Sequence, residues 1–133
     1  MNNPVRDALA TVLKGDKTLT DLATGGVYHR VADPDAVPPY VIFSKMSGVP
    51  TWAMSGPPLQ RDVWLVKGVG ERKVAEEIDA RCRELLDRID LQITGKVCQD
   101  IRTIGDVDYD EINSGEKYDH VGAEYKINSE DDD

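Results

Sequence analysis

The stretch from Glu71 to Asp90 constrains this chain more than any other. Val74, Ala75, Ile78, Cys82, Leu85, Leu86 and Ile89 fall on one stripe, and Glu, Arg, Lys and Asp fill the positions between them. That spacing predicts a helix over about 71–90, which at about 1.5 Å per residue is roughly 30 Å long. Such a helix can cross one whole face of a small sheet. A second, shorter helix is predicted over about 4–14. There Val5, Ala8, Leu9, Val12 and Leu13 repeat at i, i+3, i+4, i+7 and i+8. Asn3 suits the cap, Pro4 the first helical position and Gly15 the stop. A further turn of helix is expected at Thr18 to Ala23, ended by Gly25-Gly26.

Between and after the helices the pattern changes to that of strands. Val27 to Arg30 reads as a brief strand, and residues 31–39 as a loop, because Pro34, Pro38 and Pro39 remove donors and fix φ. Tyr40 to Met46 carries apolar residues on both faces, as a central strand does. Residues 47–59 read as a long connection to a strand over about Gln60 to Lys67. Val97 to Ile104, Asp106 to Ile112 and Asp119 to Ile127 complete the set, with a turn at Asn113-Ser114-Gly115-Glu116. Val121, Ala123, Tyr125 and Ile127 share one face of the last strand. The order predicts an α+β fold: an antiparallel or mixed sheet packed by the long helix and the N-terminal one. One domain is expected over 1–128, with 129–133 an acidic, disordered tail.

Charge and composition limit the functions open to such a chain. The net charge of −9 argues against nucleic-acid binding, which relies on Lys and Arg to neutralise phosphates. No apolar run approaches the ~20 residues of a membrane span. Met1-Asn2-Asn3-Pro4 has neither the basic nor the apolar region of a signal peptide, so the cytoplasm is the expected place of synthesis and folding. Two cysteines make no disulfide framework, and Cys82 lies on the apolar stripe as a core residue would.

Four motifs invite a chemical reading. Asp106-Val-Asp108-Tyr-Asp110-Glu111 begins like a calcium loop, but it has Glu111 where the turn glycine belongs and Lys117 in place of the bidentate glutamate. Its simpler reading is a strand with Val107 and Tyr109 inward and three aspartates in water. Gly68-Val69-Gly70 sits between a strand and a helix but lacks the third glycine and the Lys-Ser/Thr pair of a phosphate loop. His29 and His120 have no ligand partners at metal spacing, and the serines fit no nucleophile elbow. No catalytic, cofactor-binding or metal-binding residue is therefore assigned, and the chain is expected not to be an enzyme. The fourth motif is Val49, Pro50, Trp52, Met54, Pro57 and Pro58. It places Trp and Met on a Pro- and Gly-bounded connection, where exposed apolar area favours contact with another protein. Trp52 folding back over its own sheet is the alternative.

Taken in order, a short helix, a Val-Tyr strand, "PPYVIFSKMSG", a Thr-Trp/Gly-Pro loop, "RDVWLVKGVGERKVAEEIDARCRELLD" and a closing hairpin form a recognisable series. Over residues 4–128 the chain resembles the tail-completion proteins of siphophages and related gene-transfer particles, which include tail terminators and tail-to-head joining subunits. The resemblance implies an α+β subunit of a ring, commonly a hexamer, that caps the tail tube and meets the head connector. It implies the chain itself, the tail tube protein and a neck protein as partners. It also implies residence in the host cytoplasm during assembly and then in the virion, with no cofactor. A monomeric cytoplasmic adaptor or inhibitor is the second reading, and a carboxylate-based hydrolase the third.

Overall fold

A computed structural model describes residues 3–51 and 59–131. Helix α1 runs Pro4–Gly15, with Asn3 accepting from the Arg6 N–H at 3.1 Å and Pro4 opening the first turn. Val5, Ala8, Leu9 and Leu13 are its buried face. Asp16 ends α1 and caps helix α2 (Lys17–Leu22) by accepting from the Leu19 N–H at 2.9 Å. Strand β1 (Val27–His29) then pairs in parallel with β2 (Tyr40–Thr51), which pairs antiparallel with β3 (Leu59–Gly70). Helix α3 (Arg72–Leu86) follows, then β4 (Lys96–Asn113) and β5 (Glu116–Asp131). The sheet order is β1-β2-β3-β5-β4. This is the mixed-sheet α+β architecture that the sequence predicts.

Register places Val41 and Phe43 of β2, Trp64 and Val66 of β3, Ala123, Tyr125 and Ile127 of β5 and Ile101 of β4 on one face of the sheet. All are buried, together with Leu9 and Leu13 of α1, Leu19 of α2 and Ile78, Cys82 and Leu86 of α3. The three helices thus cover one face and leave the other open. Helix α3 lies very close to the sheet at Gly68, where an added Cβ would come within 2.7 Å of Ile78 Cγ2.

Several boundaries differ from those expected. Helix α3 stops at Leu86, not near Asp90. Arg88 adopts φ 63° and donates its N–H to Ile101 O at 2.8 Å, turning the chain toward β4, while the Asp87 carboxylate accepts from Thr103 N. Ile89 still packs partly against the core, so the apolar periodicity outruns the helix. Leu85 is only half-buried, and the fully buried line is Ala75, Ile78, Cys82 and Leu86. Strand β2 continues past Met46 through a bulge between Lys45 and Ser47, so Ser47–Thr51 form ladder with β3 where a loop was expected. The two strands expected on either side of Gly105 are one, β4, interrupted by bulges at Cys98/Asp100 and Thr103/Gly105. The expected acidic tail is also corrected as far as Asp131, residues 132 and 133 lying outside the described residues. Ser129, Glu130 and Asp131 belong to β5; β3 and β4 pair with Ser129 and Glu130 from both sides, Asp131 pairs with Lys96 of β4, and Ser129 is buried. Pairing on two edges outweighs the charge of the run.

Candidate assembly surface

The second bulge of β4 decides which way its acidic half points. Ile101 and Thr103 lie opposite Ile127 and Tyr125 on the helix-covered face. Strict alternation would put Gly105, Val107 and Tyr109 there too. The bulge at Thr103/Gly105 inserts one residue and reverses the parity. Asp106, opposite Ala123, and Asp108, opposite Val121, therefore lie on the α3 side of the sheet while remaining exposed to solvent. Tyr109 is correspondingly exposed (45%) on the open face, not inward.

Both faces of the hairpin gain partners from this inversion. Toward α3, Arg72 donates both terminal guanidinium nitrogens to Asp108 at 2.6 Å. Arg83 reaches Asp106 at 2.8 Å, Asp79 at 3.0 Å and the Gly122 carbonyl at 3.3 Å. The Arg72 guanidinium holds the Asp108 carboxyl below its ordinary pKa. On the open face the Tyr109 ring stacks on His120 with centroids 4.4 Å apart, and Lys67 Nζ donates to the Tyr109 hydroxyl at 2.6 Å. His120 Nε2 and Glu111 Oε1 are 2.6 Å apart. Burial lowers the His120 pKa, and Glu111 partly opposes that shift. These contacts grip the hairpin just below the point where β3 ends, at Gly70 opposite Asp119. Beyond it, residues 111–113 and 116–118 pair only with each other among the described residues and form a two-stranded arm. Ser114 and Gly115 close the tip at φ 54° and 82°, as a two-residue hairpin turn requires.

The connection singled out in the sequence lies at the opposite end of the sheet. Val49 and Pro50 sit in β2 opposite Arg61 and Gln60, so they belong to a ladder and not to a loop. Trp52, Met54, Pro57 and Pro58 lie outside the described residues. Sequence reasoning missed the Arg72 and Arg83 clamps, because both arginines read as solvent-facing residues of an amphipathic helix and the bulge leaves no sequence signature.

The remaining polar chemistry is structural in character. Cys82 is fully buried, and desolvation pushes its thiol far above the ordinary range; the Tyr125 hydroxyl is raised for the same reason. Among the described residues no three His, Cys, Asp or Glu side chains converge as a metal-binding group. Asp106 and Asp108, the start of the calcium-like motif, are engaged by guanidinium groups. No helix among the described residues is long and apolar enough to cross a membrane.

No protein-family profile matches the chain, and no curated protein is similar to it. Among solved structures it is similar to a chain of the virion of a native gene transfer agent particle. The TM-score is 0.80 at 11% sequence identity, over 96% of this chain and 95% of that one. At that identity the likeness establishes a shared fold. The class defined here is therefore an α+β domain with a five-stranded sheet covered on one face, in the arrangement found in a chain of that virion.

Proposed function

We propose that the chain is a structural virion subunit of the tail-completion class, forming a homo-oligomeric ring, of six copies on the family's pattern, that caps the tail tube and joins it to the head connector. It works by assembling, without catalysis and without a cofactor. The observation that carries this reading is the near end-to-end likeness to a virion chain, with the order of elements that the sequence shares with tail-completion proteins. The acidic balance fits a component past which DNA travels without being gripped. The protein would be made in the host cytoplasm and retained in the finished particle. Deleting its gene from the particle that encodes it is the test, with negative-stain microscopy as the readout. Heads and tails should accumulate unjoined, with tails of irregular length. Normal particles from the deletion would rule the role out.

A further inference from the structure

The two lateral edges of the sheet are unequal in a way that bears on how copies meet. At one edge β1 shields only Val41, Phe43 and the residue between them, so among the described residues β2 has no neighbouring strand on that side from Ser44 onward. At the other edge no strand lies outside β4 among the described residues, and Asp87 and Arg88 engage its backbone only at Ile101 and Thr103. Unpaired strand edges are templates for another chain, and proteins ordinarily guard them with charge, bulges or short strands. The two bulges of β4 lie at Cys98/Asp100 and Thr103/Gly105, which leaves Gly105–Asn113 as its regular run.

Exposed apolar side chains concentrate on these edges. Seven large ones are exposed among the described residues, and four of them (Val97, Ile104, Tyr109 and Ile112) are on β4. A fifth, Met46 (55% exposed), stands on the bulge of β2 where β1 no longer covers it. Neither the helices nor the central strands carry one. The charges of the two edges are opposite. Gly105–Asn113 contains Asp106, Asp108, Asp110 and Glu111 and no base, its carboxylates being met by Arg83, Arg72, Lys117 and His120 from outside the run, whereas Ser44–Thr51 contains Lys45, 3.6 Å from Asp62 of β3, and no acid. Exposed Arg30 follows β1 on the same side.

We infer that β4 of one chain adds to the uncovered stretch of β2 in a second copy, joining identical subunits head to tail through one continuous sheet. Pro50 has no N–H to offer, so the usable run is Ser44–Val49, about the length of an ordinary strand. The two edges lie on opposite sides of one sheet and differ in charge. They therefore form a heterologous junction, which repeats around a ring, and not a two-fold pair. The inference rests on the reading of the chain as a homo-oligomer, but not on which structure the ring caps.

The test uses the full chain in sedimentation velocity and light scattering from micromolar to millimolar concentration. Ile104→Lys/Ile112→Lys places cations opposite Lys45, and Met46→Asp places an anion opposite the acidic run of β4. All three sites are more than half exposed, so each variant should keep the wild-type circular dichroism and melting temperature. Ile104→Ser/Ile112→Ser serves as the milder form if the lysine variant does not. Wild type should be oligomeric and both variants monomeric. An equimolar mixture of the two variants should form a heterodimer and nothing larger, since only one intact junction remains between them. A wild type that is monomeric throughout, or either variant assembling as wild type does, overturns the inference. So does a mixture that stays monomeric; a β4-to-β4 junction would show instead as a Met46→Asp variant that still self-associates. If the variants assemble normally while the gene deletion still leaves heads and tails unjoined, the edge junction fails and the tail-completion role stands. If the variants behave as expected and the deletion gives normal particles, the junction stands and that role fails.

Discussion

Adjacent leucines at the end of α3 offer a direct measure of how the helix meets the sheet. Leu86 is fully buried within the main cluster, while Leu85 packs against that cluster from a half-buried position. Leu86→Ala removes both the transfer free energy of its lost carbons and contacts that the surroundings cannot replace, because α3 is pressed on β3 at Gly68 and cannot settle inward. Buried Leu→Ala changes cost ~2.7–5.0 kcal/mol, and the rigid setting here points to about 4 kcal/mol. For Leu85→Ala solvent already reaches part of the side chain and fills the space left, so about 1–2 kcal/mol is expected. In a chain of this size that is a fall in melting temperature of roughly 12–16 °C for Leu86→Ala against about 3–8 °C for Leu85→Ala. Urea unfolding followed by far-UV circular dichroism, with the slope checked for constancy, measures both. Equal losses, or a larger one for Leu85→Ala, would mean that α3 is rotated about its axis from the orientation described, and the reasoning would fail.

The other predictions concern single contacts. Asp16→Ala should cost about 1 kcal/mol through loss of the α2 cap, whereas Asp16→Asn should keep the cap and lose the ion pair with Arg81, as paired melting curves would show. The Arg81 guanidinium holds the Asp16 pKa below its ordinary 3.8, so its contribution is present above that pH and disappears as pH falls through it; the asparagine variant should lack that component of acid sensitivity. His120 and His29 are both depressed below 6.5, mainly by burial. The unfolded chain therefore takes up protons first, and stability should fall as pH drops below about 6.5; His120→Phe should flatten that fall between pH 7 and 5. Millimolar calcium should leave the melting temperature unchanged, because Arg83 and Arg72 occupy Asp106 and Asp108; a rise of several degrees would contradict it. Replacing Trp52 and Met54 with Ser should leave the fold intact and abolish assembly or tail capping; an unfolded variant would place Trp52 in its own core.

Local sequence determined the parts of this protein whose physics is local. The apolar stripes of α1 and α3, the Asn3 and Pro4 start and the Ser114-Gly115 turn could be read directly, since each depends on residues within a few positions of one another. So could the shared face of Val121, Ala123, Tyr125 and Ile127, because alternation in an unbroken strand needs no knowledge of its neighbours. Tertiary structure decided the rest. Ser129 and Glu130 become strand only because β3 and β4 flank them, with Asp131 held by β4 alone, and a charge run carries no trace of that. Ser47–Thr51 pair with β3 despite Gly48 and Pro50, since the partner strand supplies the ladder. The bulge at Thr103/Gly105 turns two aspartates, Asp106 and Asp108, to the helix side of the sheet, and one inserted residue has no compositional signature. The clamp of Arg72 and Arg83 follows from that inversion and brings together residues more than twenty positions apart. The two open edges are likewise a property of strand order, which no single segment encodes.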